Sequence, residues 1–141
     1  MHIRLLKEDD IKGIYYLLKN VLGYTVSFEE FYTRVLLMSN DENYYILVAC
    51  NESQVIGFIG LQLGYAFEIT GKVMRIIALA VANEYQNKGI GKQLVKESEK
   101  FALKDNATVI TLNSGLSRLE AHKFYEKQGF YKKGYSFMKK V

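Results

Sequence analysis

Apolar positions along the chain change their period several times, and each change marks an element. Residues 3–6 read as a short first strand. Ile11, Ile14, Tyr15, Leu18, Val21 and Leu22 then recur at helical spacing, with Asp9 or Asp10 placed to cap the helix and Gly23 to stop it. Ser27 opens a second helix, where Glu30 completes a capping box and Phe28, Phe31, Tyr32, Val35 and Leu36 form the apolar stripe. After the turn Asn40-Asp41-Glu42-Asn43, residues 44–50, 55–63 and 73–81 read as strands of an antiparallel meander. Few polar residues interrupt these strands, as expected where both faces are covered.

The pattern then switches. Residues 82–88 are polar, and Ile90, Leu94, Val95, Ser98, Phe101 and Ala102 fall on one helical face. Asp105-Asn106 ends that helix and residues 108–112 form a strand. A strand, helix, strand order is a crossover, so residues 108–112 should lie parallel to 73–81. Ser117 is placed to open a last helix, again with a capping box through Glu120. Ala121, Phe124, Tyr125 and Gln128 share one face and Gly129 ends the run. Residues 130–131 and 135–138 are expected as a closing pair of strands. The expected fold is α/β (α+β), one domain over residues 1–141: a mostly antiparallel sheet of six or seven strands with helices on both faces.

Composition adds little to this and removes some alternatives. The chain has 141 residues, enough for one real core, and 49% hydrophobic with 24% charged residues is a globular balance. The single cysteine, Cys50, excludes an internal disulfide, and its apolar surroundings read as core. No apolar run reaches the length of a membrane span, and the N-terminus turns acidic too early for a signal peptide. A cytoplasmic, reducing location is the resulting expectation. A net charge of +4 suits a polyanionic ligand or nucleic acid without requiring either. His2 and His122 belong to no cluster with metal-ligand spacing, so no metal is expected.

The segment from Leu79 to Leu94 carries the chemistry. Gly89 and Gly91 leave the backbone unshielded at a helix start, where free N–H groups and the helix dipole favour an anion, and Lys88 and Lys92 flank it. The P-loop spacing is not met. The dinucleotide fingerprint fails as well, since Leu94 stands where its third glycine belongs.

Gln86-x-x-Gly89-x-Gly91 resembles the pyrophosphate-binding signature of the GNAT family of N-acetyltransferases. Ala121-x-x-x-Tyr125-x-x-x-Gly129-Phe130 resembles the family's second signature, and the element order is similar over the whole chain. The resemblance implies an acetyl-coenzyme A-dependent enzyme acting on an amine, and a central parallel strand pair splayed to admit the coenzyme. Backbone groups of Leu79 and Val81 would pair with the pantetheine arm. The N–H groups of Gln86, Asn87, Lys88, Gly89, Ile90, Gly91 and Lys92 would hold the pyrophosphate. Asn113 would face the pantetheine, and Tyr125 would protonate the departing thiolate. A phenol is suited to that step, and general acid help contributes ~10²–10⁴-fold.

Two departures stand out. Arg118 occupies a position where the family often has Asn, and residues 73–81 contain no Asp or Glu to act as general base. Glu84 in the lead-in loop reads as structural, so the ammonium proton would leave through water or through another side chain; Glu29 and Glu30 are candidates, with capping the expected role of Glu30. Lys127 is a candidate for the ribose phosphate. An acyl-coenzyme A sensor of the same fold and a basic nucleic-acid module are the competing classes. Tyr125 argues against the first, and the absence of any nucleic-acid motif against the second. No nucleic-acid or membrane partner is expected; the acceptor amine is unspecified and a homodimer is left open.

Overall fold

Strand pairing in the computed structural model, which describes Met1–Val141, follows chain order. The strands are β1 (His2–Leu5), β2 (Tyr44–Asn51), β3 (Gln54–Gly64), β4 (Lys72–Val81) and β5 (Ala107–Leu112), in the order β1-β2-β3-β4-β5. β1 to β4 pair antiparallel, with Leu5 opposite Leu47, Val48 opposite Phe58 and Phe58 opposite Ala80. β5 joins β4 in parallel, as the crossover pattern requires. The Lys72 N–H donates to the Asn106 carbonyl at 2.9 Å, so these two strands begin level with each other.

The sheet has five strands, which corrects the expected six or seven. Residues 130–131 and 135–138 form no strand. Their aromatic alternation supplies β-propensity, but a strand also needs a ladder to pair its backbone. Tyr135 and Phe137 are instead 79% and 93% exposed.

The chain divides into two compact units, Met1–Thr111 and Leu112–Val141. In the first, helices cover both faces of the sheet. α1 (Ile11–Asn20) and α2 (Phe28–Ser39) place Ile11, Ile14, Leu17, Phe31 and Val35 against Ile46, Val48, Cys50 and Phe58. Neighbouring β2 residues point the other way. Tyr45 meets Phe101 of α3 (Ile90–Lys104) with ring centroids 4.5 Å apart, so α3 lies on the opposite face. It packs close there: a Cβ on Gly57 would stand 3.2 Å from the Ala80 carbonyl and 3.4 Å from Leu94 Cδ1. Leu94, Val95 and Ile59 are fully buried.

Two local expectations meet different outcomes in this unit. Ser27 does cap α2, accepting from the Glu30 N–H at 3.2 Å. Asp10 stands at the N-cap of α1 but makes no cap bond there. Its carboxylate accepts from the Lys7 N–H at 2.7 Å and from both Arg4 guanidinium nitrogens at 2.7 and 3.1 Å. Burial alone would push this carboxyl up, but the Arg4 and Lys7 hydrogen bonds outweigh it and hold Asp10 below the usual carboxylate range.

The second unit contains α4 (Leu119–Lys127). It starts after Arg118 rather than at Ser117, and no side chain caps it. The Ser117–Glu120 capping box is therefore not formed: Arg118 N–H bonds the Gly115 carbonyl in a turn, and Leu119 N–H takes the Ser117 carbonyl. No helix of the chain is long and apolar enough to cross a membrane.

Candidate functional site

The loop before α3 is shaped by two left-handed residues, Asn87 at φ +62° and Gly89 at φ +82°. Asn tolerates that conformation and Gly adopts it without strain. Alternation of left- and right-handed backbone curls successive N–H groups toward one concave side, the geometry of an anion nest. The helix bonds begin only with Gln93, whose N–H reaches the Gly89 carbonyl at 3.1 Å. Asn87, Lys88, Gly89, Ile90, Gly91 and Lys92 thus present N–H groups that no protein acceptor takes. No acidic side chain lies in the first turn of α3 to compete for them. A Cβ on Gly89 would have no heavy atom within 4 Å, so the space over the loop is open. Lys88 is held over the Tyr85 ring, its Nζ 5.4 Å from the centroid.

Gln86 plays a different part from its neighbours. Its own N–H is committed to the Asn83 carbonyl at 3.3 Å. Its side-chain amide donates to the Val81 carbonyl at 2.9 Å and to Asn83 Oδ1 at 3.2 Å. It braces the lead-in loop against the end of β4.

That end of β4 is a partly free edge. β5 is six residues long and β4 ten, and they start level, so β4 runs on beyond β5. The Ala82 N–H bonds the Ile56 carbonyl, which fixes the alternation: Ala80 and Ala82 turn their backbone groups toward β3. Leu79 and Val81 therefore turn theirs outward. The Val81 carbonyl is taken by Gln86, and the Val81 N–H turns away from β3 at the end of the strand. A hydrogen-bonding chain laid there would extend the sheet. The β4 strand is also kinked, with a bulge at Ile77 where the pairing shifts between Gly60–Ala78 and Leu61–Ile76.

Asn113 and Tyr125 belong to the second unit. Tyr125 lies on α4 with Phe124 and Phe130 edge-on to its ring, at 5.3 and 5.7 Å. Burial pushes its phenol up, offset in part by Arg118, so the hydroxyl stays protonated at neutral pH. His122 Nε2 lies 2.8 Å from the Gly115 carbonyl, a contact that ties α4 to the turn before it. Beside Asn113, the Ser114 hydroxyl is buried with no hydrogen-bond partner. Sequence reasoning passed over Ser114 and the Gln86 brace, because neither burial nor a side chain's target is encoded in spacing. No group of His, Cys, Asp and Glu is arranged to hold a metal.

The model of a family described as the acetyltransferase (GNAT) family matches residues 11–130. An aminoalkylphosphonate N-acetyltransferase of Salmonella typhimurium is 28% identical over 123 residues, spanning 87% of this chain and 77% of that protein. Human N-acetyltransferase 8 is 31% identical over 90 residues, 64% of this chain, and this chain spans only 40% of it. Among solved structures, a GNAT family acetyltransferase of Staphylococcus aureus superposes with a TM-score of 0.80 at 28% identity, covering 99% of this chain and 98% of that one. A protein of Bacillus halodurans described as a transcriptional regulator shares the fold at a TM-score of 0.90 and 24% identity, with 99% of both chains covered.

Proposed function

The chain belongs to the GNAT family of acetyltransferases, enzymes that use acetyl-coenzyme A, and on that premise we propose that it acetylates a primary amine by direct attack in a ternary complex. The observation that carries the reading is the curl of unpartnered N–H groups from Asn87 to Lys92 at the start of α3. A pyrophosphate satisfies donors so arranged, and the helix dipole adds to its attraction. From there the outward-facing backbone of Val81 and Leu79 offers the pantetheine arm a strand edge. Asn113 is the further candidate contact for that arm, on the family resemblance.

In this reading the amine nitrogen forms a bond to the thioester carbonyl carbon, and the carbon–sulfur bond then breaks. Tyr125 gives its phenolic proton to the leaving thiolate, whose negative charge the phenol hydrogen meets as the carbon–sulfur bond breaks. The ammonium proton leaves to water, since β4 supplies no carboxylate. The acceptor is an amine of a small molecule or peptide. The Salmonella relative is named for aminoalkylphosphonates, which makes a small amine the first kind to try.

The test is release of free thiol from acetyl-coenzyme A with a panel of primary amines, beside amide NMR shifts on adding coenzyme A. Turnover with at least one amine, and shifts concentrated at residues 87–92, are expected. Shifts elsewhere would move the coenzyme site. Tight binding without any turnover would favour an acyl-coenzyme A sensor.

A further inference from the structure

We infer that the row Tyr44–Gln62–Arg75 receives an anionic group of the acceptor, so that the substrate is a small primary amine carrying a phosphonate, phosphate or carboxylate. The inference rests on the acetyl-transfer reading above. Tyr44 of β2 is in register with Gln62 of β3, and Gln62 with Arg75 of β4. Residues in register across antiparallel strands project to the same face, so the three side chains form one line. Gln62 shares its face with Phe58, which packs on α1 and α2; burial falls off toward Gln62 and Arg75 is exposed.

The line is made of donors. The Gln62 amide gives one hydrogen to the Tyr44 hydroxyl at 3.0 Å, which fixes its orientation and leaves a second hydrogen free. The Tyr44 hydroxyl, accepting that bond, keeps its own proton to give. Arg75 makes no salt bridge: the ion pairs of the chain are Arg4–Asp10, Lys100–Glu97 and Lys123–Glu120. Its guanidinium is a planar fork matched to two oxygens of one anion. Next along the same face, a Cβ on Gly64 would meet nothing within 4 Å, so the line borders open space. A surface arginine is commonly paired or unimportant. One set on a sheet face beside two oriented donors, with no carboxylate paired to it, is suited to meet an anion.

The place along β4 suits an acceptor. A coenzyme anchored at residues 87–92 with its arm along Val81 and Leu79 directs its acyl end toward the Ile77 bulge. Arg75 lies beyond that bulge, four residues before Leu79, at roughly 10–13 Å for extended backbone. An amine at the acyl group would then have its anion within reach of the guanidinium.

Initial rates with 2-aminoethylphosphonate, β-alanine and propylamine test this, and the first two separate phosphonate from carboxylate. One anionic amine should exceed propylamine in kcat/KM by roughly 10–100-fold, the discrimination that a charged hydrogen-bonding site supplies. Arg75→Gln should collapse that ratio mainly through KM, Arg75→Lys should restore part of it, and Arg75→Glu should reverse it. Melting temperatures and acetyl-coenzyme A binding by calorimetry check that each variant folds and holds the coenzyme. Propylamine used as well as both anionic amines, or a ratio indifferent to Arg75→Gln, overturns the inference and leaves acetyl transfer standing. Binding of acetyl-coenzyme A with none of the three amines acetylated, while another amine of the wider panel is turned over, overturns the inference and leaves acetyl transfer standing.

Discussion

Gln86 donates its side-chain amide to the Val81 carbonyl at 2.9 Å and so ties the loop before α3 to the strand that precedes it. Both of its acceptors, Val81 O and Asn83 Oδ1, are oxygens. Gln86→Glu therefore sets a carboxylate against two acceptors and adds negative charge beside the N–H groups proposed for the pyrophosphate. Coenzyme A affinity by calorimetry should fall by about tenfold or more, the effect of losing one charge-sensitive contact. Gln86→Ala, which removes the brace without adding charge, should cost less. Equal binding by parent and Gln86→Glu would place the pyrophosphate away from this loop.

Gly89 separates strain from blocked access. Its left-handed backbone at φ +82° makes Gly89→Ala costly by about 1 kcal/mol, although the new methyl would touch no protein atom. Gly89→Asn suits the same conformation and should recover most of that stability in a thermal melt. Its side chain would still stand over the N–H curl, so coenzyme A affinity should stay low. Affinity that returned together with stability would show that the site needs only the backbone shape.

The loop was legible from sequence because its evidence is local. A strand end, two glycines and a helix start occupy consecutive residues, and the order of α3 and β5 follows from their periods. Other features depended on partners. Asp10 looked like a helix cap, but Arg4 and the Lys7 N–H lie close enough to take its carboxylate. Ser117 and Glu120 had the right spacing for a capping box, yet the Gly115–Arg118 turn delays α4 until Leu119. Tyr135 and Phe137 alternate like a strand and find no ladder. Arg75 read as one residue of an apolar strand until the register set it beside Gln62.

Tyr45 provides a test of the fold at high pH. Its hydroxyl donates to Asp105 Oδ2 at 2.6 Å, joining β2 to the end of α3. That hydrogen bond, with burial added, pushes the phenol up to about 12. A group whose folded pKa is raised stabilises the fold while it is protonated. Its contribution should be complete below the ordinary tyrosine value of about 10 and be lost as pH rises from there through about 12. Tyr45 is half-buried, so the contribution is about 1 kcal/mol after allowance for solvent screening. Tyr45→Phe should unfold more easily in urea at pH 8, and the gap from the parent should close between pH 10 and 12. A gap constant across that window would mean that ring packing on Phe101, rather than the hydrogen bond, carries the effect.

The proposed mechanism has Tyr125 protonate the departing thiolate. Its ring is held edge-on by Phe124 and Phe130, and burial raises its phenol, so a neutral hydroxyl is available at working pH. Tyr125→Phe keeps the ring and its packing on Phe124 and Phe130. The melting temperature should therefore change little, and acetyl-coenzyme A affinity should stay near the parent value. Turnover at saturating acetyl-coenzyme A should fall by up to ~10²-fold if proton donation limits the rate. The loss should shrink with a thioester whose thiol is more acidic, because a better leaving group needs less help. Equal turnover by parent and variant, with chemistry shown to be rate-limiting, would return Tyr125 to packing and give the proton to water. A marked fall in melting temperature would show that the hydroxyl serves the fold and would count against a purely catalytic role.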